Sequence, residues 1–167
     1  AAAASISGTL NNPTTTAQTA TYTVTPSTAG CSGATFTVTV TINPVASIPA
    51  QTSTICSGAT FKVTPANGVP TAATVVPAGT TYSWAAPAVT GGITGGALGA
   101  GQASISGTLT NPTGTAQTAT YTVTPSTGGC NGATFTVTVT VNPAPTYTVT
   151  GTDPTTCMGT DGFITFS

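Results

Sequence analysis

Strict alternation of apolar and polar residues dominates this chain. Phe135, Val137, Val139 and Val141 occupy every second position, with Thr134, Thr136, Thr138 and Thr140 between them. Ala119, Tyr121 and Val123 alternate with Thr118, Thr120 and Thr122 in the same way. A period of two puts each set on its own face of a pleated strand, so both runs predict half-buried strands with a threonine-coated outer face. Phe61 and Val63 flank an outward Lys62, Tyr82 and Trp84 flank Ser83, and Ile105 and Leu109 bracket Gly107 in a weaker strand. Parity thus nominates a core of Phe61, Val63, Tyr82, Trp84, Ile105, Leu109, Tyr121, Val123, Phe135, Val137 and Val139. Gly, Pro and Asn clusters at 64–68, 76–79, 91–92, 111–114 and 127–129 predict the turns between strands. No segment shows an apolar period of 3.6, and β-branched Thr and Val suit the pleated surface.

The same pattern occurs twice. Residues 5–44 return at 104–143 with a constant offset of 99, and 35 of the 40 positions are identical. The exceptions are Asn11/Thr110, Thr15/Gly114, Ala29/Gly128, Ser32/Asn131 and Ile42/Val141. The period divides the chain into the C-terminal part of one repeat (1–44), a complete repeat (45–143) and the start of a following one (144–167). A segment of a longer protein is the expectation. About seven short strands in a 99-residue unit, with turns every 8–12 residues, read as an immunoglobulin-like β-sandwich, with Trp84 as a core residue on the third strand. On this reading 1–44 supplies the last three strands of its repeat and 144–167 the first two. Asn43-Pro44 and Asn142-Pro143 end the long runs, and Pro cannot donate to a sheet ladder, so these prolines are expected at repeat junctions with little slack.

Composition then narrows the function. The chain has one Lys, two Asp and no Glu, Arg or His, which is 2% charged where globular proteins carry about 25%. Without a basic patch there is nothing to neutralise phosphates, so nucleic-acid binding is excluded. No run of 18 apolar residues predicts a membrane span. Acid–base catalysis would rest on two Asp and one Lys, and no cofactor site is expected. Thr contributes 44 residues, which keeps the surface polar without charge. The class left is a neutral, β-rich, extracellular structural or binding protein.

Few residues carry candidate chemistry. Cys130 is the period-99 equivalent of Cys31, whereas Cys56 and Cys157 each precede a strand at the opening of a repeat. Every full repeat therefore owns one cysteine of each class, which suggests Cys56–Cys130 as a disulfide inside the domain, with Cys31 and Cys157 pairing outside the segment. In a standard sandwich the first and last turns lie at opposite ends, so a staple between one repeat's first turn and the next repeat's last turn, or free thiols, stay open as alternatives. No His or CxxC accompanies them, so zinc is a poor fit. Lys62 near Asn67 lacks the neighbouring carboxylic acid that a self-formed isopeptide crosslink requires, since 45–143 contains no Asp or Glu. It reads as an outward, edge-guarding Lys. Asp153 and Asp161 with Gly159 and Gly162 lack the repeated Asx ligands of a calcium loop and read as turn residues. The Gly-rich run 91–101 is followed by no Lys or helix start, so it is no phosphate cradle but either a flexible crossover or a bulged edge where another chain packs closely.

The strings TYSWAAPAVTGG, ISGTLTNPTGTAQTATYTVTP and CNGATFTVTVTVNP resemble the PKD-like repeats of giant Bacteroidota surface proteins exported by type IX secretion. The tail, Thr148 to Asp153 followed by Cys157-Met158-Gly159-Thr160-Asp161-Gly162-Phe163-Ile164-Thr165, resembles the start of an SprB-type repeat, named after a gliding-motility adhesin. The acidic turn that PKD domains often carry after the YSW strand is replaced by Ala85-Ala86-Pro87, so no calcium role follows from it. The resemblance implies a non-enzymatic stalk of a cell-surface adhesin, mediating attachment or gliding, whose partners are neighbouring repeats or identical chains in a fibre. The alternative is a self-assembling extracellular filament with strands exchanged between chains. A carbohydrate-binding module would need clustered exposed aromatics, and the aromatics here mostly alternate inward.

Overall fold

The computed structural model describes residues 4–152 and 162–166. Among them there is no helix, and sixteen strands follow in chain order. They are β1 (Gln18–Val24), β2 (Ser27–Thr28), β3 (Cys31–Ser32), β4 (Phe36–Ile42), β5 (Gln51–Cys56), β6 (Thr60–Val63), β7 (Thr81–Trp84) and β8 (Ala88–Val89). Then come β9 (Thr94–Gly95), β10 (Gly99–Gln102), β11 (Ile105–Thr110), β12 (Gln117–Thr127), β13 (Cys130–Asn131), β14 (Phe135–Asn142), β15 (Val149–Thr152) and β16 (Phe163–Phe166). The chain is all-β.

Two open sheets enclose the core. The larger runs β10-β7-β12-β14-β5, with β8 and β13 attached to β12, and the smaller runs β6-β11-β9. Hairpin pairing of β12 with β14 sets Gln117 opposite Val141 and Val123 opposite Phe135, which turns Ala119, Tyr121, Val123, Val137 and Val139 inward together. Their ring and methyl surfaces meet Phe61, Ile105 and Leu109 of the smaller sheet. The Phe61 and Tyr121 rings lie 5.3 Å apart across the layer, and Tyr82 meets Phe135 edge-on at 6.2 Å.

Of the residues nominated by parity, Phe61, Tyr82, Trp84, Ile105, Leu109, Tyr121, Val123, Phe135, Val137 and Val139 are buried. Val63, the last residue of β6, is half-buried at the core's edge. Ala46, Ile48 and Ile93 join the core from irregular segments that alternation could not flag.

The glycine-rich run is a bulged edge. Register slips between Gly99 and Gln102 where β10 pairs with β7. What approaches Gly99 is the chain's own indole: a Cβ there would overlap the Trp84 six-membered ring. Trp84 Nε1 donates to the Ala97 carbonyl at 3.1 Å, which locks the ring over this edge. The hairpin between β12 and β13 needs positive φ at both central positions, and Gly128 (φ 55°) and Gly129 (φ 81°) supply it; the first copy makes the same turn with Ala29 at 46° and Gly30 at 83°.

The two copies of the repeated segment differ in structure. β1 pairs with β4 in the register of β12 with β14, Gln18 opposite Ile42 and Val24 opposite Phe36. Yet Ser5–Leu10, expected as a third strand of this part, forms none, and β1 stops at Val24 whereas β12 runs on to Thr127. The cause is pairing. β11 is held by β6 and β9, and the C-terminal half of β12 by β7, and residues 4–44 have no such partners.

Candidate functional site

Two ends of the sandwich and one exposed sheet face carry the features that bear on function. At the first end the chain crosses from the larger sheet to the smaller through Cys56, Ser57 and Gly58. Ser57 N donates to the Asn142 carbonyl (2.9 Å) and Gly58 N to the Leu109 carbonyl (2.8 Å). Asn111 N donates to Ser57 Oγ at 2.9 Å, while Ser57 Oγ donates back to the Asn111 carbonyl at 3.2 Å.

Asn111, itself buried, organises this end. Its Nδ2 donates to the carbonyls of Thr115 (2.7 Å) and Val141 (2.8 Å), and its Oδ1 accepts from Thr113 N (2.9 Å) and Thr113 Oγ1 (2.8 Å). Gln117 Nε2 reaches the hydroxyls of Thr113 and Thr115. Asn12, Thr14, Thr16 and Gln18 repeat the arrangement, with Asn12 Nδ2 donating to the carbonyls of Thr16 and Ile42 at 2.8 Å each. In sequence 111–114 reads only as a turn, and the clamp goes beyond it. Its signal is the spacing Asn-x-Thr-x-Thr-x-Gln, present at 12–18 and 111–117, in which short polar side chains two apart satisfy one turn's backbone groups.

The opposite end receives the preceding segment. Ser47 and Val75 exchange two backbone hydrogen bonds of 2.9 Å, which strap the linker down, and Ala46 and Ile48 beside it are buried. A Cβ at Gly132 would strike the Ala46 carbonyl, so the β13–β14 turn closes over the linker only because that residue is Gly. Asn11, Asn12 and Pro13 of the first copy line a cleft here with Val45, Ala73, Val75 and Ala133.

The cysteine geometry corrects one expectation. Cys56 ends β5 opposite Asn142, the last residue of β14, whereas Cys130 lies in β13 beyond the start of β14. A strand of that length separates them by about 23 Å at roughly 3.3 Å per residue, against about 7 Å between bridged Cα atoms. Cys56 and Cys130 do not pair within the domain; with Cys31 they are free thiols. Cys56 and Cys31 are exposed and Cys130 is half-buried. Cys157, Asp153 and Asp161 lie outside the described residues. Lys62 is exposed on β6 opposite Ser106, and the Asn67 carboxamide oxygen accepts from Val76 N at 3.2 Å.

Burial raises the hydroxyl pKa of both Tyr82 and Tyr121 above the ordinary tyrosine value, because a phenolate would be desolvated there. Among the described residues the Tyr121 hydroxyl has no hydrogen-bond partner. It lies beneath Gly96, where a side chain would crowd it.

A family model for the PKD-like domain matches residues 1–46 and again 53–145. The chain belongs to the PKD-like domain family. The first matched stretch contains residues 5–44 and the second contains their copy at 104–143. Comparison with curated proteins and with solved structures finds no match. An extracellular, non-catalytic β-sandwich module is the function class this PKD-like family membership supports.

Proposed function

We infer that this chain is a stretch of a long cell-surface protein in which PKD-like β-sandwich repeats, 99 residues apart, form a stalk that holds an adhesive element away from the cell. Residues 45–143 are one complete repeat, 1–44 the C-terminal part of the preceding one, and 144–167 the start of an SprB-like unit. The reading extends to the surface adhesins of gliding bacteria and to export by type IX secretion, on the resemblance of the quoted strings. The observation that carries it is the strapped linker: Ser47 is hydrogen-bonded to Val75 and Ala46 is buried four residues after Ile42, the end of the first copy's last strand. A connection docked in this way transmits orientation from one repeat to the next, as a semi-rigid rod requires.

In such an array Cys130 sits where the chain enters the domain and Cys56 where it leaves, so the two classes of thiol would meet across each junction. Oxidising surroundings outside the cell favour that pairing. The alternative reading, a filament of separate subunits, draws on the exposed apolar residues near both ends, Ile6, Tyr22 and Phe36 on one side and Tyr147, Val149 and Ile164 on the other. The intact mass of the native polypeptide, with and without reductant, separates the two. A mass many times that of this chain under reduction fits the stalk. A mass near 16.0 kDa, with fibres that persist, fits the filament and rejects the stalk.

A further inference from the structure

The face that β1 and β4 leave open is the same surface that β12 and β14 bury. Tyr22 is 37% exposed and its copy Tyr121 is 0% exposed. Phe36 is 48% and Phe135 5%, and Ile6 is 51% and Ile105 0%. Together Ile6, Leu10, Tyr22, Val38 and Val40 line an open apolar groove. Since 35 of 40 residues are identical, the complete copy shows what fits. There β5 lies parallel to β14, with Val137 opposite Gln51 and Asn142 opposite Cys56. β7 lies antiparallel to the far half of β12, and β6 holds β11. Phe61, Tyr82 and Trp84 fill the space between the layers.

We propose that the groove on β1 and β4 is the acceptor for a first-half repeat, a polypeptide carrying the strand set of residues 46–102. Docked in the register of the complete copy, its first strand runs parallel to β4, its third extends β1 beyond Val24, and its second recruits Ser5–Leu10 into a strand. The C-terminal hairpin of a second copy is the poorer occupant. β15 and β16 already pair with each other over four residues, from Val149 opposite Phe166 to Thr152 opposite Phe163. The groove instead asks for three strands divided between two sheets, as β5 and β7 are divided from β6. The proposal rests on the tandem-repeat reading for the source of the occupant, but the groove's specificity is a separate property.

The test compares the full chain with a chain in which a second copy of residues 45–103 precedes Ser5, using hydrogen exchange read by mass spectrometry and binding of an apolar dye. In the extended chain, exchange across 18–24 and 36–42 is expected to slow by at least about tenfold, towards the rates of 117–123 and 135–141, with most dye binding lost. A Phe36→Asp variant of the extended chain should restore dye binding while leaving exchange at 117–141 unchanged. Unchanged exchange and dye binding in the extended chain overturn the proposal. So does a full chain that already protects 36–42 by self-association at micromolar concentration, since a second copy would then be the occupant. The mass of the native polypeptide decides the stalk reading independently of either outcome.

Discussion

Asn111 Nδ2 donates to the Val141 carbonyl at 2.8 Å, tying a turn to a strand end thirty residues later. The same carboxamide binds Thr115 and Thr113, so its removal takes the side-chain partner from the Val141 carbonyl and from Thr113 N at the end of the sandwich where the chain exits, while Thr113 Oγ1 still donates to the Thr115 carbonyl at 3.0 Å. Asn111→Ala is expected to destabilise the sandwich by about 3 kcal/mol, the sum of lost hydrogen bonds and unsatisfied groups. Urea unfolding followed by Trp84 fluorescence measures it. Asn111→Asp should recover only part, because a carboxylate cannot donate to Val141.

Gly99 is the second point of leverage. Its Cα hydrogen faces the Trp84 indole, and any side chain there must displace the ring. Gly99→Val is expected to cost about 2 kcal/mol or more through overpacking. A red shift of the single tryptophan's emission would accompany it. An unchanged spectrum and midpoint would show that the bulge relaxes around the new side chain.

Tyr82 and Tyr121 give a pH dependence with a definite sign. Their folded pKa values are raised by burial, so the folded state keeps the phenol proton longer than the unfolded state does. Stability is therefore undiminished below the ordinary tyrosine pKa of about 10 and falls as pH rises through and above it. Tyr121→Phe removes a hydroxyl without a partner among the described residues. It should leave neutral-pH stability unchanged or slightly higher and shift alkaline unfolding to higher pH. A loss of more than about 1 kcal/mol at pH 7 would reveal a hydrogen bond to that hydroxyl.

Reductant should not change the stability of this chain. A Cys56–Cys130 bridge would close a long loop and contribute roughly 4 kcal/mol. With both thiols free, denaturation curves with and without dithiothreitol should coincide. Thiol labelling should be fast at Cys31 and Cys56 and slower at half-buried Cys130. A midpoint that drops on reduction would put the pairing back inside the chain.

Alternation alone determined which face of each strand turns inward, because side-chain direction reverses at every residue of a pleated strand whatever it pairs with. That is why Tyr121, Val137 and Trp84 were legible as core and Thr136 as surface. The repeat offset likewise determined the register shared by β1/β4 and β12/β14, since identical side chains and the same hairpin turn select the same partners. Neither could choose neighbours distant in the chain. The parallel docking of β5 on β14, the strapping of Ser47 to Val75 and the separation of Cys56 from Cys130 follow from how two sheets close on one core. The clearest case is SISGTL itself: it is a strand at 105–110, where β6 and β9 hold it, and irregular at 5–10, where they are missing. Strand structure is backbone hydrogen bonding to a partner, and the partner is supplied by the tertiary fold.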